Sequence, residues 1–167
     1  MAMFSYLELM QESDLPWVLA LEQRSYDFPW SVKGFENSLA QGMNYLFFSV
    51  EGQRLGYCCI LPVLDEAHIL NICVVPEFQG RGIATDALKK ILAKFQESLY
   101  QKVLLEVRES NQSALKLYQS LGFHQDGIRK KYYRAKHWDD TQRVLIDARE
   151  DAILMSYCLL TDRAVEA

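Results

Sequence analysis

The stretch that most limits how this chain can fold runs from Ala67 to Leu99. Ala67 to Val75 is a nearly unbroken apolar run, the pattern of a central strand, and Pro76 ends it. Glu77-Phe78-Gln79-Gly80-Arg81-Gly82 follows. From Ala84 to Leu99 the period becomes that of a helix, with Leu88, Ile91, Leu92, Phe95 and Leu99 on one face. A buried strand that passes through glycines into an amphipathic helix commits the chain to layers of sheet and helix. The same turn is suited to an anion. It exposes consecutive N–H groups at the positive end of a helix dipole, and glycine lets the backbone take positive φ and approach a ligand closely. Arg81 can add a charge contact.

The other segments fit around this unit. Phe4 to Leu9 reads as an opening strand. Ser13 is an N-cap candidate ahead of Asp14-Leu15-Pro16-Trp17, which opens a helix reaching about Ser25. Phe28-Pro29-Trp30-Ser31 breaks it, and Ser31 can cap a second helix ending near Gly42. Tyr45 to Val50 and Leu55 to Leu61 are strands joined by the turn Glu51-Gly52-Gln53-Arg54, and Pro62 to Glu66 connects onward. Lys102 to Arg108 is a strand. Asn111 to Leu121 is a helix stopped by Gly122, with Phe123 as the apolar contact after a glycine C-cap. Tyr132 to Asp147 reads as polar and irregular, a long late loop, and Ala152 to Leu160 as a closing strand. The order β-α-α-β-β-β-α-β-α-β implies an α/β or α+β fold, one sheet with helices on both sides. With 167 residues, no repeat and no linker, a single domain over 1–167 is expected.

Composition narrows the function classes. Half of the residues are apolar and 24% are charged, which is globular and not disordered. No apolar run approaches the length of a membrane span, and Met1 to Gln11 lacks the basic stretch of a leader, so no membrane role and a cytoplasmic location are expected. Cys58, Cys59, Cys73 and Cys158 form no C-x-x-C pair and sit in apolar runs, as reduced core thiols do. His68, His124 and His137 are scattered, so no metal is expected. The net charge of −4 argues against a nucleic-acid binder and is compatible with a cationic substrate.

The G-x-G-x-x-G dinucleotide fingerprint and the G-x-x-x-x-G-K-[ST] nucleotide loop are both absent. Gln79-Gly80-Arg81-Gly82-Ile83-Ala84 instead fits Q-x-x-G-x-[GA], and this resembles the acetyl-CoA signature of the GNAT family of N-acetyltransferases. A second string, Leu105-Glu106-Val107-Arg108 followed by Asn111, Ala114, Leu117-Tyr118 and Leu121-Gly122-Phe123, resembles that family's N-x-x-A-x-x-L-Y-x-x-x-G-F helix and the strand before it. The resemblance implies the GNAT fold, a mixed, mostly antiparallel central sheet flanked by helices on both faces. It also implies acetyl-CoA as co-substrate. The diphosphate would be held by Gln79, Gly80, Arg81, Gly82, Ile83, Ala84 and Thr85, with Ile72, Cys73 and Val74 lining the pantetheine and acetyl group and Asn111 hydrogen-bonding the cofactor.

Five further strings are narrower: Phe28-Pro29-Trp30-Ser31, Leu64-Asp65-Glu66-Ala67, Leu105-Glu106-Val107-Arg108, Arg129-Lys130-Lys131-Tyr132-Tyr133 and Arg149-Glu150-Asp151-Ala152. In this order they resemble the branch that acetylates the N-terminal alanine of a small-subunit ribosomal protein. That resemblance implies a protein or peptide N-terminus as partner, Glu106 as catalytic base and Tyr118 as acid. A monomer or weak dimer is expected. Arg134 to Ala148 has no counterpart in that pattern.

The residues support these roles on their own chemistry. An α-amino group titrates at about 7.7–8.0, so a weak base suffices to free it. Period-two alternation sets Glu106 on the face opposite Val103, Leu105 and Val107, partly desolvated, though a salt-bridged glutamate reads the same way. The Val74 N–H is the natural donor to a tetrahedral oxyanion. Tyr118 can protonate a departing thiolate or simply fill the core, and Asn111 can also be a helix N-cap. Tyr132 and Tyr133 face opposite ways in an extended segment, so one of them lines the acceptor path. Phe28 and Trp30 form its other wall or pack into the core. A lysine or small-molecule amine acetyltransferase and a non-catalytic acetyl-CoA-binding module stay open as alternatives.

Overall fold

A computed structural model of the chain describes residues 3–159. The chain gathers into two compact units, one from Met1–Val103 with Cys158–Ala167 and one from Leu104–Tyr157.

In the first unit the strands β1 (Tyr6–Leu9), β2 (Met43–Phe48), β3 (Arg54–Val63) and β4 (Glu66–Val74) pair in that order, each antiparallel to the next. Helices α1 (Leu15–Ser25) and α2 (Val32–Gln41) lie between β1 and β2, and α3 (Ile83–Gln96) follows β4. Both faces of β3 are buried. Tyr57 and Cys59 join Val18 and Leu21 of α1 and Phe35 of α2 in one cluster. Cys58 and Ile60, on the opposite face by alternation, are buried as well. The stripe Ile83, Ala87, Leu88, Ile91, Leu92 and Phe95 buries the inner side of α3, each large side chain contributing roughly 1.5–3 kcal/mol.

Several boundaries differ from the expectation. Ser13 does not cap α1: it lies inside a 3₁₀ turn, Glu12–Asp14. The carboxylate of buried Asp14 accepts the Gln11 N–H at 2.8 Å and pairs with Arg54 at 2.6 Å. Pro62 belongs to β3, opposite Ala67. Only Leu64-Asp65 separates Val63 from Glu66, so the Pro62 nitrogen points away from β4. On that side β2 has already ended at Met43, opposite Ile60, and the missing N–H costs no ladder bond. Leu99 lies past the end of α3 and is 88% exposed. Ser31 caps α2, its hydroxyl accepting the Gly34 N–H at 3.1 Å.

In the second unit β5 (Lys102–Arg108) enters and α4 (Gln112–Leu121) follows, capped by the Asn111 side chain and closed by Gly122 at φ 103°. Two long antiparallel strands complete it, β6 (His124–Asp139) and β7 (Val144–Cys158). This corrects the reading of Tyr132 to Asp147 as an irregular loop. Arg134 pairs with Arg149, Lys136 with Asp147, Trp138 with Leu145 and Asp139 with Val144. Asp139 closes the turn by accepting the N–H groups of Thr141 and Gln142 at 2.8 and 3.0 Å. The extension escaped the sequence reading because neither of its faces is buried, so no alternation marks it. The closing strand accordingly begins at Val144, not Ala152, and Leu160 lies outside the described residues. With one strand more than expected, the fold is the mixed, mostly antiparallel α/β class inferred from sequence.

Candidate active site

The glycine turn is built from main chain. A 3₁₀ turn at Pro76–Phe78 carries the backbone off β4, and Gly80 and Gly82 then take φ of 76° and 78°. A Cβ at either glycine would meet no atom within 4 Å. Packing therefore does not require glycine there; the left-handed backbone does, and the space above it stays open. Gly82 is the N-cap of α3, with no side-chain cap. The first bond of the helix runs from the Asp86 N–H to the Gly82 carbonyl at 3.0 Å. The N–H groups ahead of it, on Ile83, Ala84 and Thr85, are those a helix leaves for outside acceptors. The buried Ile83 side chain fixes the turn, while Gly80 to Gly82 stay exposed. Gln79 reaches back, its Nε2 donating to the Val74 carbonyl at 3.0 Å, and Arg81 lies 5.6 Å over the Phe78 ring. The cradle fits a diphosphate, with its N–H donors open and the helix dipole behind them.

Upstream, the Val75 N–H donates to the Leu55 carbonyl at 2.9 Å, which turns the Val74 N–H away from β3. The Cys73 side chain packs in the core cluster, and burial pushes its thiol up. Ile72 is half-buried, and its carbonyl accepts the Tyr26 hydroxyl. Trp30 is half-buried and packs on Phe35 with ring centroids 5.2 Å apart; Phe28 is half-buried.

In the second unit β5 alternates as expected. Val103, Leu105 and Val107 are buried and Glu106 is half-buried on the other face. Its carboxylate pairs with Arg129 at 3.2 Å. The two tyrosines do not part to opposite faces. Their rings meet edge-on at 4.9 Å, because β6 carries extra residues between Arg129 and Tyr133 and Lys131 adopts φ 49°. Asp151 pins that bulge through the Lys131 N–H at 2.8 Å and the Lys130 ammonium at 3.0 Å. Arg129 stacks over Tyr132 at 4.8 Å and Arg108 over Tyr133 at 4.6 Å. Burial pushes the Tyr133 phenol up to about 12, helped by the charge of Glu106, and moves Tyr132 in the same direction for the same reasons. Tyr118 is buried against Phe123, with ring centroids 5.7 Å apart. Asn111 is a true N-cap, its Oδ1 accepting the Ala114 N–H at 3.1 Å.

Residues 8–123 match the model of the acetyltransferase (GNAT) family. The chain is 36% identical over 149 residues to the [ribosomal protein bS18]-alanine N-acetyltransferase of Escherichia coli, spanning 88% of this chain and 93% of that one. It is 32% identical over 148 residues to the putative enzyme of the same name from Bacillus subtilis, spanning 87% and 90%. The crystal structure of the ribosomal-protein-S18-alanine N-acetyltransferase from E. coli superposes with a TM-score of 0.80 at 32% identity, covering 92% of this chain and 93% of that one. This chain belongs to the GNAT acetyltransferase family.

Set in that family, the sequence reading had missed one group. Glu22 is 1% exposed, and its carboxylate accepts the Trp30 N–H at 3.1 Å, the Asn71 amide at 3.1 Å and the Tyr57 hydroxyl. It thereby ties α1, the segment before α2, β3 and β4 together. The signal was present: Glu22 lies four residues after Val18 and one after Leu21, inside the buried stripe of α1. Among the described residues no helix is long and apolar enough to cross a membrane, and no His, Cys, Asp or Glu group could hold a metal ion.

Proposed function

We propose that this acetyltransferase moves the acetyl group of acetyl-CoA to the N-terminal α-amino group of a protein, the N-terminal alanine of a small-subunit ribosomal protein, in the cytoplasm. The observation that carries the reading is the open cradle at Gly80 and Gly82 on the N-terminus of α3, in a chain whose relatives over nearly their whole length are ribosomal-protein-alanine N-acetyltransferases. We read 1–167 as one domain, since the family match runs from residue 8 to 123 across both units.

In this mechanism the main-chain N–H groups from Gln79 to Thr85 bind the diphosphate, with Arg81 adding charge. The strand end Ile72, Cys73 and Val74 holds the pantetheine arm and acetyl group, and Asn111 borders the cofactor. Phe28, Trp30, Tyr132 and Tyr133 receive the acceptor. Glu106 takes the proton of the acceptor ammonium, directly or through water. The amine nitrogen attacks the thioester carbonyl, and the oxyanion is met by the Val74 N–H, which points away from β3. The carbon–sulfur bond then breaks, Tyr118 protonates the departing thiolate, and the second proton shed by the new amide nitrogen restores the phenol, leaving an acetylated N-terminus and the free CoA thiol.

The test is acetyl transfer to peptides that differ only in their first residue. Preference for N-terminal alanine supports the reading. Equal transfer to a peptide with a blocked N-terminus and a free lysine would instead favour a lysine or small-amine acetyltransferase. Binding of acetyl-CoA without transfer to any amine would mark a non-catalytic module.

A further inference from the structure

The carboxylate assigned as the base already holds a cation of the protein's own. Arg129 pairs with Glu106 at 3.2 Å and lies 4.8 Å over the ring of Tyr132, whose phenol the Glu106 charge helps push up. A carboxylate beside an aromatic face is the chemistry that receives an ammonium group.

The two arginines flanking the tyrosine pair differ in how firmly they are held. Arg108 has Tyr133 beneath it and donates to Glu150 at 2.8 Å and to the Arg134 carbonyl at 2.7 Å. The Arg129 side chain is 51% exposed, and the Glu106 side chain 30%. The main chain at Arg129 is fixed by its pairing with Ala152 and by the Asp151 clamp on the next two residues. A fixed backbone with a half-exposed, weakly paired guanidinium is suited to swing aside.

We propose that Arg129 is a gate on Glu106: its guanidinium holds the place of the acceptor ammonium, and the acceptor enters by displacing it. The proposal rests on Glu106 being the base. Two consequences follow. The acceptor competes with Arg129, so removing that charge tightens acceptor binding. A carboxylate without its guanidinium also serves water: the water oxygen attacks the thioester carbonyl, its proton passes to Glu106, the carbon–sulfur bond breaks, and acetate and the CoA thiol are released. Arg129 suppresses that hydrolysis until an acceptor arrives.

The experiment compares wild type, Arg129→Gln, Arg129→Lys and Glu106→Gln. It measures steady-state transfer to an alanine-initiated peptide and release of CoA thiol with no peptide present. An exposed ion pair is weak, so Arg129→Gln is expected to lower the peptide KM about three- to fivefold, with kcat within about twofold, and to raise acceptor-free hydrolysis by a similar factor. Arg129→Lys restores both. A raised KM in Arg129→Gln, or no change in either KM or hydrolysis while Glu106→Gln is inactive, overturns the gate and leaves the base assignment standing. Full activity of Glu106→Gln removes the base and the gate together.

Discussion

The glycine turn before α3 and the Glu106 cluster are opposite ways of making a site. The turn uses main chain alone: two glycines at positive φ, open space over them, and a helix end with no side-chain cap. The cluster uses side chains: a carboxylate and two stacked guanidinium–phenol pairs, carried on a bulge clamped by Asp151. The difference separates two kinds of sensitivity. Changing the turn alters geometry and therefore coenzyme affinity, whereas changing the cluster alters charge and therefore chemistry.

Removing the base should have the largest effect. Glu106→Gln is expected to lower kcat by about 10²- to 10⁴-fold, the usual worth of a positioned general base. Acetyl-CoA affinity, read by calorimetry, should stay within about twofold of wild type. A joint loss of both would erase the distinction between the regions. Next comes the turn. Gly82→Val places a β-branched residue at φ 78° with no steric clash, so the cost is backbone strain, about 1–3 kcal/mol. That predicts weaker acetyl-CoA binding by about tenfold or more, with the rate at saturating coenzyme largely kept, and a milder effect from Gly82→Asn.

Tyr133 gives a smaller, pH-dependent effect. Its phenol is raised from 10.0 to about 12 in the folded chain, so the folded state holds its proton longer than the unfolded one does. The stabilisation is complete below pH 10 and is lost as pH rises toward 12. Denaturant titrations should show Tyr133→Phe losing less stability than wild type across that window. Last, Trp138 at the hairpin tip is 50% exposed, and Trp138→Ser should change stability by no more than about 0.5 kcal/mol. A larger loss would mean that the extension is structurally coupled in the way the turn is.

The legibility of the two regions differs for the same reason. Gln79 to Ala84 was readable because a strand end, two glycines and a helix start are local constraints, each with its own residue preference. Glu106 was readable because its strand resembles the family's, and alternation along β5 gave its face. Its pairing with Arg129 was not, since the partner lies twenty-three residues away on another strand and nothing local couples them. The meeting of Tyr132 and Tyr133 also escaped, because period-two reasoning fails where a bulge interrupts it. The Arg134–Arg149 ladder escaped because a strand exposed on both faces has no hydrophobic period to betray it.

By itself, then, the sequence determined the order of helices and the strands of the core, the glycine turn with its anion-binding N–H groups, the alternation that exposes Glu106, and the caps at Ser31, Asn111 and Gly122. All of these follow from φ preferences and hydrophobic periods carried by a few neighbouring residues. Only the tertiary structure decided that Arg129 closes on Glu106, that both tyrosines meet beside it, that Glu22 is buried among Trp30, Tyr57 and Asn71, and that the late polar segment is a hairpin. These depend on which distant side chains share a space, and pairings of charge and ring across strands leave no period in the chain for a sequence reading to find.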